Sequence, residues 1–164
     1  MAKHELTAWR CVVWLWALGW LTSAQAWPGV VTHVSDGDTV WARPWQGGEP
    51  VKVRVQGIDA PEHCQYWGPQ SKQALQALLL HQVVDVQGQQ HDSYGRLLAR
   101  VYRQGQDVGA WMVSQGHAWS YHYQHHPGPY EAQQAYAQTY HLGLFASAYS
   151  LEPRWFRKRF GPCP

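Results

Sequence analysis

A chain of 164 residues, 45% of them hydrophobic, supports one domain of ordinary size around an apolar core, and no second domain is needed. Its formal net charge of +2 at pH 7 does not by itself announce a nucleic-acid binder. The distribution of charge says slightly more: Arg154, Arg157, Lys158 and Arg159 cluster near the C-terminus, while acids concentrate in two turn motifs. Taken alone, the basic cluster reads as a short solvated tail.

In chain order, Lys3, His4 and Arg10 precede the apolar run Cys11 to Leu21, which leads to Ala24-Gln25-Ala26. A charged start, a short apolar stretch and an A-x-A site predict a signal peptide over residues 1–26. The apolar run is shorter than the roughly 20 residues that a spanning helix needs, so a cleaved leader is preferred to an anchor. The expected product is residues 27–164, exported to the periplasm or secreted, and free of the membrane. It keeps Cys64 and Cys163, an even pair in an oxidising compartment, which predicts one disulfide pinning the C-terminal tail beside the loop that carries Glu62. Two free thiols are the alternative; Cys64 next to His63 lacks the partner spacing of a zinc site.

Gly29 to Val34 and Thr39 to Arg43 are β-rich and are separated by the turn signal Ser35-Asp36-Gly37-Asp38. Val51-Lys52-Val53-Arg54-Val55 alternates strictly, so the valines face a core and Lys52 and Arg54 share the opposite side. Gln46 to Pro50 supplies the connection, and a three-stranded meander follows. Beyond Asp59-Ala60-Pro61-Glu62, Gly68-Pro69 opens a helical repeat through Ala74, Leu75, Leu78 and Leu79. Val83 to Gln87 and Leu97 to Tyr102 read as two further strands joined around Tyr94-Gly95. Asp107 caps a helix through Val113 that Gly116 ends, and Pro129 to Leu142 is a third helix stopped by Gly143. Strand order with one helix after the third strand predicts an α+β fold, a five-stranded OB-type Greek-key β-barrel with about three α-helices. The chain shows no internal repeat and no low-complexity linker.

Fold class does not fix chemistry, so function is read from side chains. Asp38 and Asp59 end predicted strands beside glycines, in turns where both carboxylates can point the same way. Hard oxygen ligands of this kind suit Ca²⁺ or Mg²⁺, and no His/Cys cluster argues for a softer metal. Glu62 follows Pro61, which fixes the local backbone and leaves the carboxylate free to accept a proton from water; its other reading is a helix-dipole partner for the following helix. Arg54 and Arg96 come from different strands, and each offers a planar fork to phosphate oxygens. Phosphodiester cleavage builds charge on the equatorial oxygens, so two arginines and one cation answer its main electrostatic demand. Lys52, Arg43 and Arg100 read instead as surface charges.

The ordered pattern Asp-Gly-Asp-Thr, then Arg54, then Gly57-Ile58-Asp59-Ala60-Pro61-Glu62, then Asp92-Ser93-Tyr94-Gly95-Arg96-Leu97-Leu98-Ala99 resembles the thermonuclease family, the staphylococcal nuclease-like enzymes, from about Val30 to Leu144. That resemblance implies a Ca²⁺-dependent endonuclease cutting DNA and RNA to 3′-phosphate ends, acting as a monomer with no stable protein partner. It implies that Asp38, Asp59 and the Ala60 carbonyl hold the metal, with Asp36 in the surrounding shell. Arg54, Glu62 and Arg96 match the catalytic trio, Tyr94 matches a phosphate- and nucleotide-contacting tyrosine, and Tyr121 and Tyr123 match a pair bounding the nucleotide pocket. Ser93 stands where the family's best-known members carry a lysine, and Ala60 where they often carry threonine. The stretch Tyr121 to His126 is read as a polar surface loop, and Asp92 and Ser93 as peripheral. The competing reading is a catalytically silent module of the same fold that binds nucleic acid or protein; such a module is expected to lose the five metal and catalytic side chains, all of which are present here.

Overall fold

The computed structural model describes residues 26–124 and 126–164. Apart from Ala26, the expected signal peptide lies outside the described residues, as does His125 of the His-rich loop. The chain runs through β1 (Ala26–Val34), β2 (Thr39–Pro44), β3 (Val51–Val55), β4 (Ile58–Asp59), α1 (Gly68–Leu79), β5 (Val83–His91), β6 (Leu97–Arg103), β7 (Gln106–Asp107), α2 (Val108–Ser114), β8 (Trp119–Ser120), α3 (Glu131–Thr139), a 3-10 turn (Gly143–Ala146) and α4 (Pro153–Phe160).

β1 and β2 pair antiparallel, β2 pairs antiparallel with β3, and β5 joins β1 to β6. The circuit closes where β3 meets β6 in parallel, with Arg54 opposite Leu98 and Val55 opposite Ala99. This five-stranded closed barrel is the OB-type fold expected from the sequence; closure leaves its sheet without a free edge at that seam. β7 extends β6, while β4 and β8 form a small separate pair. The strict alternation of β3 appears in its burial: Val53 and Val55 are sealed in the core while Lys52 and Arg54 keep partial exposure.

The barrel is filled by Val31, Val40, Val53, Val55, Val84, Val86 and Val101, and its open side is covered by Leu75 and Leu79 of α1 and Met112 of α2. Leu75 and Leu79 are four apart, hence on one helical face, and each stabilises the fold by about 1.5–3 kcal/mol through burial. Asp107 caps α2 by accepting a hydrogen bond from the Ala110 amide at 3.0 Å. Pro69 lies in the first turn of α1, where its missing N–H costs nothing.

Two expectations need correction. The third helix is Glu131–Thr139 rather than Pro129 to Leu142, because His141 takes a left-handed φ of 51° and the Leu142 amide bonds back to the Ala137 carbonyl at 2.9 Å. That closing motif ends the helix before Gly143 is reached. The C-terminal basic segment is not a solvated tail but the helix α4, started by Pro153 in its first turn and followed by Gly161 at φ 80°, with Arg157, Lys158 and Arg159 in the last turn. The described chain therefore carries four α-helices where the sequence suggested about three.

Candidate active site

The Ser35–Asp38 turn between β1 and β2 is held by its own side chain: the Asp36 carboxylate accepts from the Asp38 amide at 3.0 Å, and the Ser35 amide donates to the Thr39 carbonyl at 2.9 Å. Gly37 lies against the neighbouring elements so closely that a Cβ there would stand 2.7 Å from the Ala60 Cβ and 2.9 Å from the Ser71 Cβ. Only glycine lets this turn pack onto the Asp59–Glu62 loop. In consequence Asp38 Oδ2 accepts a hydrogen bond from the Ala60 amide at 2.9 Å, and Asp38 Oδ1 accepts from the Thr39 hydroxyl at 3.0 Å.

Asp38 and Asp59 are both 5% exposed. Two carboxylates so poorly hydrated need counter-charge. Arg54 supplies it, pairing with Asp38 Oδ2 through Nη1 and with Asp59 Oδ1 through Nη2 at 3.1 Å, while Nη2 also donates to the Ile58 carbonyl at 3.3 Å. Burial pushes the Arg54 pKa down and Asp59 and Asp36 push it back up, leaving it below its ordinary value; an arginine remains a cation there. Arg54 reaches these groups because Thr39 of β2 is its cross-strand partner and β4 begins four residues later.

Arg96 arrives from the loop before β6. Its guanidinium is gripped by Asp92, with Nε and Nη2 each 2.7 Å from Asp92 Oδ2, and Nη1 lies 3.5 Å from the Thr39 hydroxyl. Asp92 Oδ1 takes the amides of Tyr94 and Arg96, both at 2.9 Å. Burial works to raise the Asp92 pKa, but these hydrogen bonds prevail and it lies below its ordinary value. Asp92 is thus the holder of Arg96 rather than a peripheral residue. The Tyr94 ring, 82% exposed, sits 5.4 Å from the Arg96 guanidinium.

Asp36, Asp38, Arg54, Asp59, Ala60, Glu62, Tyr94 and Arg96 all line one cavity of about 320 Å³, joined there by Arg157 of α4. Arg54 and Arg96 also line an adjoining cavity of about 550 Å³ with Tyr121 and Arg100, so the two arginines stand on the ridge between an acidic basin and a roomier groove. Tyr123 borders neither cavity; it is 64% exposed and bridges to His126. His122 lies 3.7 Å from Glu152.

Arg157 is the residue that sequence reasoning left in solvent. Its Nη1 is 2.5 Å from Glu62 Oε1 and its Nη2 is 3.4 Å from Asp59 Oδ2. Burial lowers its pKa, the Glu62 hydrogen bond and the charges of Asp59 and Glu62 raise it, and the balance is a rise. Two signals in the sequence pointed here: the Pro153 start and Gly161 stop of a helix with a basic last turn, and Cys163, which bonds to Cys64 with Cα atoms 5.8 Å apart and so ties α4 two residues from Glu62.

Among the described residues no three His, Cys, Asp or Glu side chains form a ready ligand group. A cation in the acidic basin would therefore rest on the Asp38 and Asp59 carboxylates, a backbone carbonyl and water. That set fits a hard divalent ion, since both carboxylates are buried, face one guanidinium between them, and offer oxygen only.

A closed barrel carrying carboxylates and paired arginines at one end defines a class, and comparison places the chain within it. The staphylococcal nuclease homologue model matches residues 52–147, and the chain belongs to that family. It is 38% identical over 129 residues to an uncharacterized endonuclease of Haemophilus influenzae, spanning 79% of this chain and 72% of that protein. A micrococcal nuclease of Shigella flexneri is 33% identical over 171 residues, covering 94% of this chain and 95% of its own. An uncharacterized endonuclease of Escherichia coli is 33% identical over 132 residues, 80% of this chain and 85% of that one.

Proposed function

We propose that the protein is an exported endonuclease that hydrolyses phosphodiester bonds of DNA and RNA with Ca²⁺ and leaves 3′-phosphate ends. The observation that carries this reading is the meeting of Asp38, Asp59, Glu62, Arg54 and Arg96 around one cavity of about 320 Å³. Relatives named as endonucleases or as a micrococcal nuclease support it.

In this proposal the scissile phosphate lies across the ridge, where Arg54 and Arg96 donate to its non-bridging oxygens and strengthen their hold as charge builds on them. Glu62 accepts the proton of the attacking water, so that the new bond forms to phosphorus and the bond to the 5′ oxygen breaks, the departing 5′ oxygen taking its proton from solvent water to leave as a hydroxyl. Asp38, Asp59 and the Ala60 carbonyl would hold Ca²⁺, which when bound would supply positive charge beside the phosphate. Asp36 keeps the Asp38 turn in place. Tyr121 lines the adjoining groove and Tyr94 the basin, where their rings and hydroxyls contact neighbouring nucleotides; Tyr123 contributes from outside both. The leader reading of residues 1–26 supports export.

The test is incubation of residues 27–164 with single-stranded DNA or RNA, with Ca²⁺ and with a chelator, followed by end-group analysis. Internal cutting that needs Ca²⁺ and leaves 3′-phosphates is expected. Cutting unaffected by the chelator, or none at all with Ca²⁺, overturns the proposal.

A further inference from the structure

The proposed activity uses two arginines, yet a third reaches the same basin from the far end of the chain. Arg157 spans two carboxylates with separate roles in that proposal: Nη1 takes Glu62 Oε1 at 2.5 Å and Nη2 takes Asp59 Oδ2 at 3.4 Å. We propose that Arg157 is a positioning residue that fixes the Glu62 carboxylate against Asp59, and that the Cys64–Cys163 disulfide is the tether that keeps it there.

Three observations carry this. First, the contact engages Glu62 through Oε1, so the guanidinium orients a partly exposed carboxylate by one of its two oxygens. Second, backbone bonds fix the Glu62 main chain and not its carboxylate: its amide donates to the Gln65 side chain at 3.2 Å, its carbonyl accepts from the Gln65 amide at 2.9 Å, and the Gln65 side chain donates to the Leu151 carbonyl just before α4. A glutamate on so short a turn has several rotamers, and holding one of them is what a bridging guanidinium does best. Third, α4 buries only Pro153 completely. A helix of eight residues with one sealed side chain cannot fix its own position to a fraction of an ångström, whereas the disulfide and the two ion pairs fall on either side of the same loop. An exposed ion pair adds little to global stability, so the geometry is better explained by local placement than by holding the fold together.

This inference rests on the catalytic role proposed for Glu62, and its test therefore has two arms. In the first, Arg157→Ala and Arg157→Lys are assayed on single-stranded DNA with Ca²⁺ beside the parent chain. A fall in kcat of about tenfold or more for Arg157→Ala, with KM within about threefold and partial recovery in Arg157→Lys, is expected. A risen KM with unchanged kcat identifies Arg157 as a substrate contact and overturns the inference, as does an unchanged or increased rate. In the second arm, hydrogen exchange is followed in peptides covering residues 60–66 in the parent, in Arg157→Ala and in the doubly substituted Cys64→Ser, Cys163→Ser chain. Faster exchange there, with barrel peptides of β2 and β6 unchanged, supports the clamp; equal exchange in all three overturns it. The second arm needs no activity, so an inactive parent with a protected loop counts against the proposed nuclease and not against the clamp.

Discussion

Glu62 and Asp59 show how one residue's role depends on which charge faces it. Asp59 and Asp38 are buried and share the guanidinium of Arg54, whereas the Glu62 carboxylate is partly exposed and, among the described residues, forms its ion pair with Arg157. Replacing Glu62 with Gln keeps the shape of the side chain but removes the proposed proton acceptor. Turnover is expected to fall by about two to four orders of magnitude with the fold and nucleotide binding intact, read by kcat, circular dichroism and a binding titration. At Asp59 the expectation concerns the cation: Ca²⁺ at about one hundred times its dissociation constant stabilises the chain by about 2.7 kcal/mol. Thermal melting with Ca²⁺ against chelator reads that shift, and Asp59→Asn is expected to abolish it. A shift of the same size in Asp59→Asn removes this carboxylate from the cation site. Asp92→Asn is expected to lower kcat by about tenfold or more by loosening Arg96, since the neutral amide gives up a charge-assisted grip at 2.7 Å. Because the native Asp92 pKa is depressed, its contribution is complete above the ordinary aspartate value and is lost only as pH falls through the native one. Neutral assays therefore see that grip intact.

At the scale of elements, the site is assembled by turns that lock onto a helix. Gly37 lets the Asp36–Asp38 turn press on Ser71 of α1, and the Ser71 hydroxyl donates to the His117 carbonyl at 2.7 Å. Trp67 closes the same corner by donating its indole N–H to His117 Nδ1 at 3.1 Å, a bond that only the ring with an unprotonated Nδ1 accepts. Burial accordingly holds the His117 pKa below its ordinary value. A lowered histidine pKa means that the unfolded chain takes up the proton first as the solution is acidified. Stability is thus full above the unfolded value of about 6.5 and declines as pH falls below it, until the folded ring also titrates. Urea midpoints between pH 8 and pH 5 measure the slope, and His117→Gln is expected to flatten it; an equal slope in that variant assigns the decline to other groups. The strands and α1 were legible because valine alternation and the Leu75–Leu79 spacing are local patterns. The end of α3 was not, because His141 supplied the left-handed turn that glycine was expected to provide.

Across the whole molecule, the Cys64–Cys163 bond joins residues 99 apart in sequence. In the chain-entropy view a loop of that size stabilises the folded state by about 4–5 kcal/mol. Reduction is expected to lower the urea midpoint by a corresponding amount, and thiol counting on residues 27–164 in denaturant before reduction is expected to find no free cysteine. Two free thiols there contradict the bond outright. Both bonded cysteines lie outside the five strands that close through the β3–β6 seam.

The amino-acid sequence by itself determined the barrel class, the three-stranded meander, and the candidate residues Asp38, Asp59, Glu62, Arg54 and Arg96, because each is signalled by periodicity or turn chemistry within a few neighbouring positions. It also predicted the Cys64–Cys163 pair, with two free thiols as the alternative, and the structure shows the bond. Tertiary structure alone decided what those residues touch: that one guanidinium serves both buried carboxylates, that Asp92 grips Arg96, and that Arg157 leaves the expected solvated tail to meet Glu62. The Arg157–Glu62 contact joins positions 95 apart, and a charge carries no mark in sequence of the partner that folding will bring to it.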